Sequence, residues 1–208
     1  MQFLKSILDL VFPPRCEVCL SPNDKVICGG CAQKISFLKP SAFIHSVGEY
    51  DGVLKTAILK FKFKNKTGLA EPLGAFMVKY LSQNLDMNKV DFIVPVPLHS
   101  KKFLERGFNQ SELLSHAISK HYNLPTVSGL LFRVKETNPQ FELPRNERIK
   151  NVKGAFEVRG ANLLRDRNIL LVDDIYTTGS TVSECTKILK TNGAKNVHVL
   201  TLSRAYSI

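Results

Sequence analysis

A chain of 208 residues with 44% hydrophobic and 23% charged residues has an ordinary globular mix, long enough for one full core and a small appendage, or for two small domains. No run approaches the roughly 20 uninterrupted apolar residues of a membrane span, which argues against a transmembrane bundle. The formal net charge of +11, from 29 basic and 18 acidic residues, suits a polyanionic partner such as a nucleotide, a pyrophosphate or a nucleic acid.

The first stretch, MQFLKSILDLVFPP, is apolar, but Lys5 and Asp9 interrupt it and no small-residue cleavage site follows. It reads as a short amphipathic helix packing on the next domain rather than as a signal peptide or membrane anchor. Four of the five cysteines come next, CEVC at Cys16 and Cys19 and CGGC at Cys28 and Cys31. Two CxxC knuckles present four thiolates on tight turns, the donor set of a tetrahedral structural zinc. Only eight residues separate the knuckles, fewer than in the common ribbon spacing. An iron–sulfur cluster or a redox pair is the alternative, and disulfides are not expected without an export signal. All four ligand positions are sulfur, so a metal there is structural and leaves no place for a catalytic water.

FLKPSAF leads out of the cysteine module, and SVGEY reads as a short strand. Asp51 is a plausible N-cap for a helix carrying Val53, Leu54, Ala57, Ile58 and Phe61 on one face. The stretch Val53 to Lys66 holds five lysines and no acid. Its end, LKFKFKNK, permits single-stranded DNA binding through Lys60, Lys62, Lys64 and Lys66, with bases stacking on Phe63. Phe61 reads instead as buried, and a solvated basic face is the plain alternative for the whole cluster. A second helix is expected over Gly68 to Asn84, then a buried-type strand, FIVPVP, from Phe92 to Pro97. RGFNQSELLSHAISKHY places Leu113, Leu114, Ala117 and Ile118 on a helical face, and TVSGLLFR reads as another strand.

The segment from Val134 to Asn162 is polar, proline-bearing and aperiodic, and loops of that length in compact domains are usually functional. Within it, Pro144 to Lys153 holds four basic residues against one Glu. Then come a strand over Asn168–Val172, a helix over Thr181–Lys190 with Gly193 as its C-cap, and a strand NVHVLTLS. Cys185 lies on the apolar stripe of that last helix with Val182, Ile188 and Leu189, as a core residue. The five histidines show no metal-ligand spacing. Strands alternating with helices indicate a parallel α/β sheet, in which ligands bind beyond the carboxyl ends of the strands.

One such end is ILLVDDIYTTGST, Ile169 to Thr181. A strand-to-helix turn accounts for the glycine and hydroxyls, but not for two like charges side by side at Asp173 and Asp174. The run of small residues puts backbone N–H groups and hydroxyls at a helix N-terminus, where partial positive charge favours an anion and glycine permits close approach. The carboxylates just upstream then face hydroxyls or a cation beside that phosphate. A sugar phosphate has both parts.

ILLVDDIYTTGST resembles the phosphoribosyl pyrophosphate (PRPP) loop of the type I phosphoribosyltransferases. With CEVC…CGGC in front, PVPLH and RGFNQ in the middle and GAF before the loop, the whole chain resembles the ComF family of competence-associated proteins. The resemblance implies a parallel-sheet α/β, type I phosphoribosyltransferase-like core over residues 45–208, with an N-terminal helix and four-cysteine zinc-finger module over residues 1–44. It gives Asp173 and Asp174 the ribose hydroxyls, directly or through magnesium, and makes them the catalytic positions. Thr177, Thr178, Gly179, Ser180 and Thr181 then wrap the 5′-phosphate, and Ile175 and Tyr176 before them belong to the same PRPP-binding set. Pro97, Leu98 and His99 line the pyrophosphate side, to which Lys101, Lys102 and Arg106 add charge. Arg145, Arg148 and Asn151 resemble the loop that closes over the ligand.

The implied role is in natural transformation: a cytoplasmic protein, associated with the inner face of the membrane, that handles incoming single-stranded DNA beside a competence helicase or other DNA-uptake proteins. A nucleotide-salvage transferase and a catalytically inactive DNA-binding scaffold are the alternatives. The intact acid pair argues against the scaffold, and no residue names a nucleophilic substrate.

Overall fold

The computed structural model describes residues 13–136 and 151–205. The expected N-terminal amphipathic helix, Arg145 and Arg148 lie outside the described residues.

Four strands make one parallel sheet: β1 (Ile44–Glu49), β2 (Phe92–Pro95), β5 (Asn168–Tyr176) and β6 (Asn196–Arg204), in the order β1-β6-β5-β2. Between β1 and β2 run α2 (Gly52–Phe63) and α3 (Ala70–Asn84), the latter entered through a 3₁₀ turn at Thr67–Leu69. After β2 come a short α4 (Ser100–Arg106) and α5 (Gln110–Tyr122); α6 (Ser180–Thr191) joins β5 to β6. A four-residue helix, α1 (Gly29–Ala32), forms the second cysteine knuckle. The parallel α/β sheet expected from the alternation is present, with β6 and β5 at its centre.

Period-two alternation along β5 sorts the core into two layers. Leu170 and Val172 join Leu200 and Leu202 of β6 against α2, α3 and α5, through Phe61, Leu73, Met77, Tyr80 and Leu114 among others. Ile169 and Leu171 join Val197 and Val199 on the other face, against Val182, Cys185 and Leu189 of α6. Cys185 is fully buried there, as its place on the apolar stripe of α6 requires. The first layer also takes in Cys16, Ile27 and Cys31, so the cysteine module packs into the same buried cluster as the sheet.

The structure revises four expectations. Strand β5 does not stop at Val172: it stays paired with β6 as far as Tyr176, opposite Arg204, so both aspartates lie inside the ladder. The segment Val134 to Asn162 is not one long loop, because β4 (Phe156–Val158) pairs antiparallel with β3 (Leu131–Arg133) and a 3₁₀ turn follows at Ala161–Leu164. RGFNQ is split: Gly107, at φ 79°, ends α4, and Asn109 caps α5 by accepting the N–H of Ser111. Asp51 occupies the N-cap position of α2 without a side-chain capping bond.

Helices α3 and α5 meet closely at Gly74, where an added Cβ would lie 2.3 Å from Cβ of Ala117. Real Cβ atoms never approach so near, so Gly74→Ala must push the helices apart. It should cost about 1–3 kcal/mol of stability in urea denaturation, and Ala117→Gly in the same chain should recover much of the loss.

Candidate functional site

The carboxyl ends of β5 and β2 open on a cavity of about 420 Å³. Strand alternation sends the two neighbouring carboxylates to opposite sides of β5. Asp174, 3% exposed, meets helix α2, where Lys62 Nζ lies 2.6 Å from its Oδ2. Asp173, 9% exposed, accepts two hydrogen bonds on Oδ1, from the Ser111 hydroxyl (3.0 Å) and from the N–H of Asp174 (2.9 Å). Burial first, then the charge of Asp174, pushes the Asp173 carboxyl up to about 7.

Past Tyr176 the chain turns sharply into α6. Gly179 stands at φ 77°, a conformation that favours glycine, and a Cβ there would lie 2.3 Å from the Tyr176 hydroxyl and require that ring to shift. The cap of α6 is this glycine, which offers no side-chain acceptor, and the Ser180 N–H donates instead to Thr178 Oγ1 at 3.4 Å. The hydroxyls of Thr178 and Ser180 lie 3.0 Å apart beside them. On the β2 side, Asn109 Nδ2 donates to the Val96 carbonyl (3.1 Å) and pins the loop that carries Pro97 and Leu98.

Of the residues expected to hold a ligand, Asp173, Asp174, Ile175, Thr177, Thr181, Pro97, Leu98 and Arg106 line the cavity. Tyr176, Thr178, Gly179 and Ser180 form the turn behind it, and His99 caps α4. Lys101 does not line it and pairs with Glu136 at 2.8 Å on the exterior. Lys102 does line it, as do four residues with no ligand role in the sequence reading: Tyr50, Gln110, Ser111 and Arg133. The guanidinium of Arg106 sits over the Phe63 ring, 5.5 Å from its centroid, and bonds Gln110 Oε1. Four cations, Lys62, Lys102, Arg106 and Arg133, thus face two carboxylates.

Of the basic stretch expected to meet DNA, Lys62 is turned inward, whereas Lys64 and Lys66 are exposed. Lys62 pairs with Asp174, while Lys60 and Lys66 approach Glu17 of the first knuckle at 4.0 and 2.9 Å. Phe63 remains 57% exposed at the cavity edge.

The four cysteine sulfurs lie within 4.8 Å of one another, with Cys16 to Cys31 at 3.8 Å and Cys19 to Cys28 at 3.7 Å. A tetrahedron of thiolates about 2.3 Å from zinc has edges of about 3.8 Å. These separations fit that ion and are far from a disulfide bond. The N–H groups of Val18 and Cys28 donate to Cys16 Sγ, and that of Cys31 to Cys28 Sγ, each at 3.4 Å. A hydrogen bond with the Ser21 hydroxyl lowers Cys19, whereas burial raises Cys31. Four crowded thiols cannot all ionise unaided, and a divalent ion supplies the missing charge.

The fold and site define a phosphoribosyltransferase-like protein with a zinc ribbon at its N-terminus. The family model of the phosphoribosyl transferase domain matches residues 69–206, and that of the double zinc ribbon domain matches residues 7–42. Competence protein F of Haemophilus influenzae is 32% identical over 182 residues, 86% of this chain and 78% of that protein. DNA utilization protein YhgH of Escherichia coli (strain K12) is 32% identical over 199 residues, 94% of this chain and 85% of that one. The solved adenine phosphoribosyl transferase of Trypanosoma brucei superposes at a TM-score of 0.48 with 11% identity, covering 82% of this chain and 86% of that one. The chain belongs to the ComF family. The zinc ribbon match and the cysteine cluster together support a structural zinc. Among the described residues no helix is long and apolar enough to cross a membrane.

Two expected outcomes test this geometry. The purified chain should carry a single zinc, and chelation should lower its melting temperature, because Cys16 and Cys31 belong to the main buried cluster. The second concerns pH. The folded Asp173 carboxyl titrates at about 7, above its ordinary 3.8, so the folded chain binds the extra proton and stability falls as pH rises through that window. Asp173→Asn keeps an oxygen for Ser111 and the Asp174 N–H. It should remove this slope and stabilise the chain above about pH 7 by about 1–3 kcal/mol, read from urea melts.

Proposed function

We propose that this protein binds PRPP in the cavity at the ends of β5 and β2 and acts in natural transformation, in the cytoplasmic handling of incoming single-stranded DNA. The observation that carries the ligand reading is the pairing of two buried carboxylates with a glycine-capped, hydroxyl-lined helix N-terminus and four cations around one cavity. A polyanion alone has no use for the carboxylates, and a simple cation none for the arginines. A phosphorylated sugar uses both.

In this reading Asp173 and Asp174 accept the ribose hydroxyls. The first-turn N–H groups of α6, with the hydroxyls of Thr177, Thr178, Ser180 and Thr181, receive the 5′-phosphate. Lys102, Arg106 and Arg133 face the pyrophosphate, and Arg148 belongs to the segment assigned to cover it. Magnesium would be held by the acid pair together with ligand oxygens, a hard donor set that suits it, and it supplies neutralisation of the pyrophosphate charge. Burial of the carboxylates keeps water from competing with the ribose hydroxyls. If the pyrophosphate is displaced, the acid pair holds the ribose in place while positive charge develops at C1.

The transformation role is supported by the relatives' names, Competence protein F and DNA utilization protein. Contact with a competence helicase or other uptake proteins at the inner face of the membrane belongs to the same reading.

Calorimetric titration of the zinc-loaded chain with PRPP and magnesium tests the site. The wild type should bind, and the double variant Asp173→Ala, Asp174→Ala should give no measurable heat while keeping its zinc and its circular dichroism. Equal affinity in both would remove the ligand from this cavity.

A further inference from the structure

Helix α2 touches both halves of the molecule. Lys60 and Lys62 are two positions apart, about 200° around the helix axis, so they point to nearly opposite sides. On one side Lys60, helped by Lys66 just beyond the helix end, reaches Glu17, which sits between the zinc-ribbon cysteines Cys16 and Cys19. On the other, Lys62 lies 2.6 Å from the buried Oδ2 of Asp174. Between them Ile58 and Phe61 belong to the buried cluster that also contains Cys16, Ile27 and Cys31. The knuckle, the helix and the acid pair are therefore linked by packing and by charge.

We propose that α2 couples the four-cysteine module to the acid pair, the metal-bound knuckle holding Lys62 on Asp174 as a positioning residue for the sugar-phosphate ligand. The inference rests on the PRPP reading of the cavity. An anionic ligand approaching two carboxylates meets repulsion unless one of them is compensated. The Lys62 ammonium provides that compensation on Oδ2 and leaves Oδ1 of Asp174 to accept a ribose hydroxyl. Phe63 on the same helix lies under the Arg106 guanidinium, so a shift of α2 would disturb two of the four cations at once. The Glu17 pairs are part-exposed and individually weak, so most of the coupling resides in the packing of the knuckle against α2. Metal loss is then the larger lever and a change at Glu17 the smaller one. Coupling of this kind is reciprocal: the ligand must tighten the metal as much as the metal tightens the ligand.

The experiment uses the full zinc-loaded chain as wild type, Lys62→Met, Lys62→Arg and Glu17→Lys, with two readouts. One is calorimetric PRPP affinity; the other is the rate at which a chromophoric chelator removes zinc. Lys62→Met should weaken PRPP by about tenfold or more and Lys62→Arg should restore it to within about threefold, a rescue that general destabilisation would not give. Glu17→Lys should keep its full zinc content yet weaken PRPP by about threefold. PRPP should slow zinc removal from the wild type and not from Lys62→Met. Wild-type affinity in Lys62→Met, or zinc removal indifferent to PRPP, overturns the coupling while leaving the PRPP site in place. A wild type that gives no heat with PRPP overturns the ligand reading instead. The coupling is then judged on the chelator alone: faster zinc loss from Lys62→Met upholds it, and an unchanged rate refutes it.

Discussion

The arrangement around β5 follows from placing two adjacent carboxylates, both more than nine-tenths buried, at the end of a central strand. Charges taken out of water are costly unless each is paired or protonated. Strand geometry gives the first relief, since neighbouring side chains leave β5 on opposite sides. Chemistry gives the rest, and differently for each. Asp174 takes an ammonium from α2, whereas Asp173 takes a hydroxyl from α5 and a backbone N–H, and holds its proton to near neutrality. Helices α2 and α5 are therefore fixed to the strand end by polar contacts as well as by the apolar layer beneath them.

That constraint explains why the cysteine module is not a loose appendage. A module this small has little apolar surface of its own and gains stability from a metal. Here it gains from the sheet domain too, because Cys16, Ile27 and Cys31 are buried in the cluster built by α2 and α3. The same helix that offers Phe61 to this cluster offers Lys62 to the acid pair. A boundary drawn near residue 44 marks a change in composition, yet the packing runs straight across it.

What could be read from the sequence divides along a physical line. The β5–α6 loop was legible because acids, glycine and hydroxyls lie side by side, and local chemistry suffices to name an anion site. The four cysteines were legible for the same reason, their spacing being their geometry. Lys62 was not, since its partner stands 112 positions away and a count of lysines carries no direction. It was read as part of a basic surface, while the structure turns it inward. Ser111 and Arg133 reach the cavity only through the placement of α5 and β3, which no local pattern encodes. Strand β4 escaped notice because three paired residues in a polar segment have too few positions to show a period. The run beyond Val172 was taken for a turn because Asp disfavours strands; pairing with β6 as far as Tyr176 overrides that preference.

The net charge of +11 takes on a different meaning once directions are known. Three of the four lysines in LKFKFKNK approach acids within the chain, Lys62 a buried one and Lys60 and Lys66 the part-exposed Glu17, so their charge is partly neutralised within the molecule. Lys102, Arg106 and Arg133, all half-buried, line the same cavity as the two buried acids. Carboxylates and cations around one cavity match a ligand that carries both hydroxyls and phosphates. A uniformly charged polymer such as DNA offers no such combination and would meet the buried acids as a penalty. On the proposed reading the cavity takes a small asymmetric anion, and contact with nucleic acid falls to another surface.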